Sequence, residues 1–144
     1  MSPMPPRDAL ARAVSHVTST MLGFAVAPVG DRPAAALLWR TATLSIPGQQ
    51  PISVALSSNE SGCAALGAAM FACPRESLDP SMIDDSLCEL VNMTAGQIRL
   101  LMALDQALGL PRVGAVPVDN EGWTHLVLSS GPVELVLSLT NRSF

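Results

Sequence analysis

A long helix bounded by clear start and stop signals constrains the fold of this chain more than any other feature. Asp79 is a favourable N-cap residue, and Pro80 suits the first helical position. Leu108-Gly109-Leu110-Pro111 is typical of a helix end, because glycine adopts the left-handed conformation and proline prevents continuation. These signals predict a helix over residues 80–108, about 43 Å long at ~1.5 Å per residue. The pattern leaves open whether this helix contains a break.

The residues of this helix separate into two faces. The apolar face predicts contact with a core and consists of Ile83, Leu87, Leu90, Val91, Thr94, Ile98, Leu101, Met102 and Leu108. The opposite face carries Asp85, Glu89, Asn92, Gly96 and Arg99. Glu89 and Asn92 are three residues apart, so their side chains are neighbours on the helix surface.

Gly96 is the least expected residue of the polar face. A glycine inside a helix costs about 1 kcal/mol relative to alanine, and asparagine is also a weaker helix former than alanine or glutamate. One interpretation is that Gly96 leaves space beside Asn92 for the backbone of a partner. The other is that Glu89 and Asn92 form a solvated face, with Gly96 packed against another helix. The spacing alone does not decide between them.

Alternating apolar and polar residues predict strands on both sides of the helical part. Residues 34–46 and 51–57 alternate as a half-buried sheet requires, and Pro47-Gly48-Gln49-Gln50 is turn chemistry, so they form a predicted hairpin. Three further strands are predicted at Val113–Val118, Thr124–Ser129 and Val133–Thr140. Tight turns between these three predict an antiparallel meander.

Two more helices complete the predicted fold. Asp8–Leu22 has apolar residues at three- and four-residue steps, and Ser57-Ser58-Asn59-Glu60 offers a capping box for a helix reaching about Cys73. Residues 1–7 are predicted to be a disordered, proline-rich tail, and 8–144 a single domain. The fold class is α+β, two layers with helices on a mostly antiparallel sheet, in the order α-β-β-α-α-β-β-β.

Composition excludes several classes of function. The net charge is −4, and all eight cationic side chains are arginines spread along the chain, so a nucleic-acid partner is not expected. The longest nearly apolar run, Ala64–Cys73, is about half of the ~20 residues that a membrane-spanning helix needs. The N-terminus lacks the pattern of a secretory signal, so we expect a cytoplasmic protein with no membrane contact.

Other reactive residues do not form a recognisable site. Cys63, Cys73 and Cys88 match no zinc spacing and are expected to be buried thiols. His16 and His125 are isolated in sequence, so no metal site and no cofactor of its own are expected.

The segment Asp85-Ser86-Leu87-Cys88-Glu89-Leu90-Val91-Asn92-Met93-Thr94-Ala95-Gly96 resembles the signature helix of the CheX/CheC/FliY family of chemotaxis phosphatases. The likeness extends to Leu110-Pro111 and to the opening helix. The chain departs from the family at Gln97, where an asparagine is common. Arg12 and Ser15 stand where two-site relatives carry a second Glu-x-x-Asn pair, so a single site, as in CheX, is implied.

This resemblance implies a phosphatase acting on the aspartyl phosphate of a CheY-like response regulator. Glu89 would dock to a cation of the regulator and Asn92 would position the attacking water, with Asp85, Met93 and Gly96 as partner contacts. Mg²⁺ would be held by the regulator. Non-catalytic binding of a regulator or of a flagellar-switch component is the alternative, and a structural dimer unit is a third possibility. A homodimer through the sheet edges is also implied, because unpaired strand edges favour pairing.

Overall fold

The computed structural model describes residues 4–31, 38–114 and 122–142, and shows three helices packed against an open antiparallel sheet. The elements are α1 (Arg7–Leu22), β1 (Ala27–Gly30), β2 (Leu38–Ile46), β3 (Ile52–Asn59), α2 (Glu60–Phe71), α3 (Pro80–Leu101), β4 (Arg112–Gly114), β5 (Thr124–Ser130) and β6 (Val133–Thr140). The six strands lie in the order β1-β5-β6-β3-β2-β4. The predicted fold class and element order are confirmed, and the structure adds the short strand β1.

The N-terminal helix α1 begins and ends close to its predicted bounds. Pro6 precedes it, and Gly23 ends it in the left-handed conformation at φ 80°, donating its N–H to the Ser19 carbonyl at 3.2 Å. Met4 already packs against the hydrophobic core. Residues 1–3 lie outside the described residues, so the predicted tail over 1–7 stays a prediction.

The β2–β3 hairpin is confirmed, with Ile46 opposite Ile52 at its turn. Residues 34–37 of the predicted first strand lie outside the described residues. The predicted capping box over 57–60 is wrong, because Ser57 and Ser58 belong to β3. Asn59 instead caps α2, accepting a hydrogen bond from the Gly62 N–H at 2.9 Å.

The predicted three-strand meander is also wrong, although β5 and β6 do form a hairpin. Strand β4 pairs with β2, at the opposite end of the sheet from β5. Helix α3 packs over β2, so the strand that follows it joins the sheet at the β2 edge. Residues 115–118, the rest of that predicted strand, lie outside the described residues.

Helix α3 ends at Leu101 and not at residue 108 as predicted. Ala103 adopts the left-handed conformation at φ 53°, the Ala103 N–H donates to the Leu100 carbonyl, and the Leu104 N–H donates to the Arg99 carbonyl at 3.0 Å. This pair of bonds is the Schellman arrangement, which satisfies carbonyls left free at a helix end. Residues 102–111 therefore form an irregular segment before β4.

The predicted apolar stripe faces the core along most of α3. Its residues from Ile83 to Ile98 are buried, whereas Met102 and Leu108 are half-buried against the core. Leu101 is the exception, with 47% of its surface exposed, because the helix stops there. None of the described helices is long and apolar enough to cross a membrane.

Candidate functional site

A surface groove of about 510 Å³ lies between α3 and the irregular segment that follows it. One side, which we call the helical wall, consists of Asp85, Cys88, Glu89 and Asn92 of α3. The other side, the loop wall, consists of Leu108, Gly109, Leu110 and Pro111. Two segments that sequence analysis singled out separately are thus brought together in one site.

The N-terminus of α3 fixes where the helical wall starts. Asp79 Oδ1 accepts hydrogen bonds from the Ser81 hydroxyl at 2.7 Å and from the Met82 N–H at 3.0 Å. These donors favour the charged carboxylate, and they lower the pKa of Asp79 below its ordinary value. The predicted N-cap is therefore confirmed.

An ion pair joins α3 to the sheet. Arg40 of β2 donates from Nη1 to Asp84 Oδ1 at 2.8 Å, and its guanidinium lies 4.8 Å from the centroid of the Trp39 ring. The pair is only about one-quarter to one-third exposed. Because Asp84 turns toward the sheet, its neighbour Asp85 turns toward the groove.

Glu89 and Asn92 lie side by side on the open face of α3. Glu89 is exposed and Asn92 is half-buried. Among the described residues, neither side chain takes part in a hydrogen bond or an ion pair, so both are available to a ligand. The helix thus presents a carboxylate and a carboxamide together, as the spacing predicts.

The predicted partner contacts occupy three different places. Asp85 is exposed and lines the groove one turn before Glu89. Gly96 lies one turn beyond Asn92, outside the groove lining, and a Cβ added there would meet no atom within 4 Å. Met93 is half-buried and packs against the core, so only part of its side chain faces outward.

The loop wall is held in place by polar contacts with distant parts of the chain. Gln106 Nε2 donates to the Gln50 carbonyl at 2.9 Å, and the Gln50 N–H donates to Gln106 Oε1 at 3.0 Å. Arg99, expected on the exposed face of α3, is half-buried and donates to the Gln106 carbonyl at 3.2 Å. These contacts tie the segment both to the β2–β3 turn and to α3.

Gly109 brings the loop wall against strand β2. Its N–H donates to the Ser45 carbonyl at 2.7 Å, and a Cβ at this position would lie 2.5 Å from the same oxygen. The glycine is needed for this close approach and not as a helix stop. Sequence analysis missed the positioning roles of Gln106, Gln50 and Ser45, since no local pattern marks a contact between residues so far apart.

The groove is acidic along its helical wall. Its described lining includes the carboxylates of Asp85 and Glu89, the Asn92 carboxamide and no basic side chain. Burial raises the pKa of the Cys88 thiol, and the negative charges of Asp84 and Asp85 raise it further. The thiol is therefore protonated at neutral pH and is only a weak donor and acceptor, so Asn92 supplies the strong donor and acceptor of the helical wall.

The other reactive residues do not assemble a second polar centre. Burial raises the pKa of Cys63 to about 12, as for an inert core thiol. His125 Nδ1 lies 2.7 Å from the Ser138 hydroxyl, and His16 is exposed on α1. Within the described ranges, no three His, Cys, Asp or Glu side chains are grouped so that they could hold a metal ion.

Arg12 stands where a second Glu-x-x-Asn pair would begin. Its Nη1 lies 3.2 Å from Asp8 Oδ2, in an exposed ion pair. The Arg12 guanidinium lowers the pKa of Asp8. The pair is a favourable i,i+4 contact of the first turns of α1, and an arginine, not a carboxylate, occupies that position.

Comparisons with solved structures show which fold this is. The chain aligns with the chemotaxis protein CheX from Vibrio vulnificus at a TM-score of 0.74 and 16% identity, over 92% of this chain and 96% of that one. A CheC-like superfamily protein from a Shewanella species aligns at 0.75 and 16%, over 95% and 98%. A chain of the CheX–CheY–BeF3–Mg²⁺ complex from Borrelia burgdorferi aligns at 0.76 and 14%, over 98% and 100%.

No protein-family model and no curated protein sequence matches the chain. The fold is that of the CheX and CheC-like chemotaxis proteins, and the resemblance predicted from the α3 segment is confirmed at this level.

Proposed function

We propose that this CheX-like chain is a phosphatase that accelerates hydrolysis of the aspartyl phosphate of a CheY-like response regulator. The observation that carries the proposal is the pairing of Glu89 and Asn92 on the open wall of a groove, with no partner for either side chain among the described residues. The alternative is a non-catalytic module that binds a regulator or a flagellar-switch component through the same groove.

The reaction requires little covalent chemistry from the protein. Water attacks the phosphorus, the bond to the aspartyl oxygen breaks, and inorganic phosphate leaves while the carboxylate is restored. Positioning of the water and stabilisation of charge supply most of the catalysis in phosphoryl transfer. The Asn92 carboxamide fits this role, because its oxygen can accept a hydrogen bond from the water while its NH2 group donates one to a phosphoryl oxygen.

The acidic helical wall supports a docking role for Glu89. A carboxylate in this position repels a bare phosphate but attracts a cation held beside it. A regulator that carries a lysine and Mg²⁺ next to its phosphoaspartate supplies such cations. Mg²⁺ accordingly belongs to the regulator in this proposal, and Asp85 adds a second negative charge at the rim of the groove.

The similar fold solved in the CheX–CheY–BeF3–Mg²⁺ complex supports a regulator as the partner. A cytoplasmic location follows from that partner. Homodimerisation through sheet edges stays a prediction, supported by the exposure of both edge strands, β1 and β4.

The test is the rate of phosphate loss from a phosphorylated CheY-like regulator of the same organism, with and without this protein. We expect the wild type to accelerate the loss. Asn92→Ala should reduce the acceleration by about 100-fold or more, as expected when a positioned catalytic group is removed, and should leave binding within about threefold. Glu89→Ala should instead weaken binding.

Matched controls come from the same parts of the chain. Gln97→Ala removes an amide from α3 outside the groove, and Glu76→Ala removes an exposed carboxylate outside α3. Both should behave as the wild type. Binding without acceleration would replace the phosphatase by the non-catalytic module, and absence of both would refute regulator binding.

A further inference from the structure

Leu110 stands out among the large apolar side chains that the structure describes, because 87% of its surface is exposed. It lies in the loop wall, facing the groove that Glu89 and Asn92 line from the other side. An exposed leucine is unremarkable by itself. Its position on the wall of the candidate site makes it informative.

The backbone around Leu110 is firmly held. The N–H of Gly109, the preceding residue, donates a hydrogen bond to the Ser45 carbonyl of β2, and Pro111 follows with its fixed φ. The Gln106–Gln50 contacts anchor the same segment four residues earlier. A side chain on a backbone held in this way loses little further freedom on binding, which favours its use as a contact.

The two walls together specify a partner surface of mixed character. The helical wall offers carboxylates, so it favours a cationic group and disfavours a free phosphate or another small anion. The loop wall offers the apolar side chain of Leu110 on the other side of the groove, so the partner needs an apolar patch that can contact it. A folded protein that presents a cation beside an apolar patch meets both requirements, whereas a small phosphate ester meets neither.

We propose that Leu110 is a docking contact for the phosphorylated response regulator, packing against an apolar patch beside the cationic phosphorylation site of that protein. This rests on the proposed function of the groove and adds a specificity-determining residue to it. Leu110 contributes to recognition alone, because it has no group that could act on the phosphoryl centre.

The test compares dissociation constants for the regulator loaded with beryllofluoride and Mg²⁺, measured by titration calorimetry on the full chain. We expect Leu110→Ala to raise Kd by about tenfold, as for loss of a buried apolar contact. The maximal dephosphorylation rate at saturating regulator should not change. Leu100→Ala is the matched control, since Leu100 is 71% exposed on the last turn of α3 and does not line the groove; it should change Kd by less than twofold.

The outcomes separate this inference from the proposed function. If the wild type binds and Glu89→Ala weakens binding while Leu110→Ala does not, the docking role of Leu110 is refuted and the function stands. If the wild type binds no regulator, both are refuted. If Leu110→Ala instead lowers self-association in sedimentation at unchanged regulator affinity, its partner is a second copy of this chain and the inference is overturned.

Discussion

The two walls of the groove are built by different physical means. The helical wall follows from local rules: an N-cap at Asp79, a proline at the first position and a 3.6-residue period that sends Glu89 and Asn92 outward. The loop wall has no period. It depends on hydrogen bonds from Gly109 to Ser45 and between Gln106 and Gln50, which join residues more than 50 positions apart.

Because of this difference, the two walls have separate roles: the helical wall positions polar groups, and the loop wall sets the shape of the groove. The helical wall presents the polar groups, and a rigid helix holds them in a fixed relation to each other. The loop wall decides how far the opposite side of the groove lies from those groups. Changes in the loop wall should therefore alter stability and binding before they alter chemistry, and each of the following substitutions tests that division.

The largest effect on stability is expected from Gly109→Ala. The new Cβ would lie 2.5 Å from the Ser45 carbonyl oxygen, so the 2.7 Å hydrogen bond must break or β2 must move. We expect a loss of about 2–3 kcal/mol in the free energy of unfolding, from overpacking and one lost hydrogen bond. Urea denaturation measures it. A change below about 0.5 kcal/mol would show that the loop wall can move away from β2 at little cost in free energy.

Gln106→Ala should have a smaller effect of the same sign. It removes two exposed hydrogen bonds to the Gln50 backbone and leaves the Gly109 contact in place. We expect a loss of about 1–2 kcal/mol in urea denaturation, together with weaker regulator binding at an unchanged maximal rate. A fall in the maximal rate would contradict the division between the walls, since it would mean that the loop wall also positions the reacting groups.

On α3, one turn beyond the helical wall, the same glycine-to-alanine change at Gly96 should change stability in the opposite direction. A Cβ at Gly96 meets no atom within 4 Å, so Gly96→Ala should stabilise the protein by up to about 1 kcal/mol through helix propensity alone. If a partner's backbone approaches Gly96, the variant should also bind the regulator more weakly. Tighter or equal binding would identify Gly96 as a residue without a docking role.

The smallest effect concerns Asp79, whose folded-state pKa is lowered by its two hydrogen-bond donors. A lowered pKa stabilises the fold above the unfolded-state value, about 3.9, and this contribution is lost as the pH falls through the folded-state value. The difference in unfolding free energy between the wild type and Asp79→Ala should therefore have its largest value at pH 7 and become smaller below pH 4. A difference that stays constant with pH would mean that the charge of the cap is not involved.

The same contrast explains what the sequence could predict. The Asp79 cap, most of the apolar stripe and the paired Glu89 and Asn92 are local features of α3, and the structure shows them as expected. The predicted end of α3 is wrong because Gly109 and Pro111 have the composition of a helix stop, whereas Ala103, a residue type that rarely adopts the left-handed conformation, terminates the helix. The place of β4 at the β2 edge and the role of Gln106 depend on tertiary contacts that no local pattern encodes.

The short hydrogen bond from Gly109 to Ser45 makes one backbone amide in an irregular segment behave like an amide of the sheet. Its proton should exchange slowly with deuterium, although the next residue of the loop wall, Leu110, is exposed. Because the acceptor lies on β2, the exchange rate of this one amide reports the detachment of the wall separately from global unfolding. The exchange rate of the Gly109 amide, followed by NMR, therefore measures how often the loop wall detaches and the groove opens.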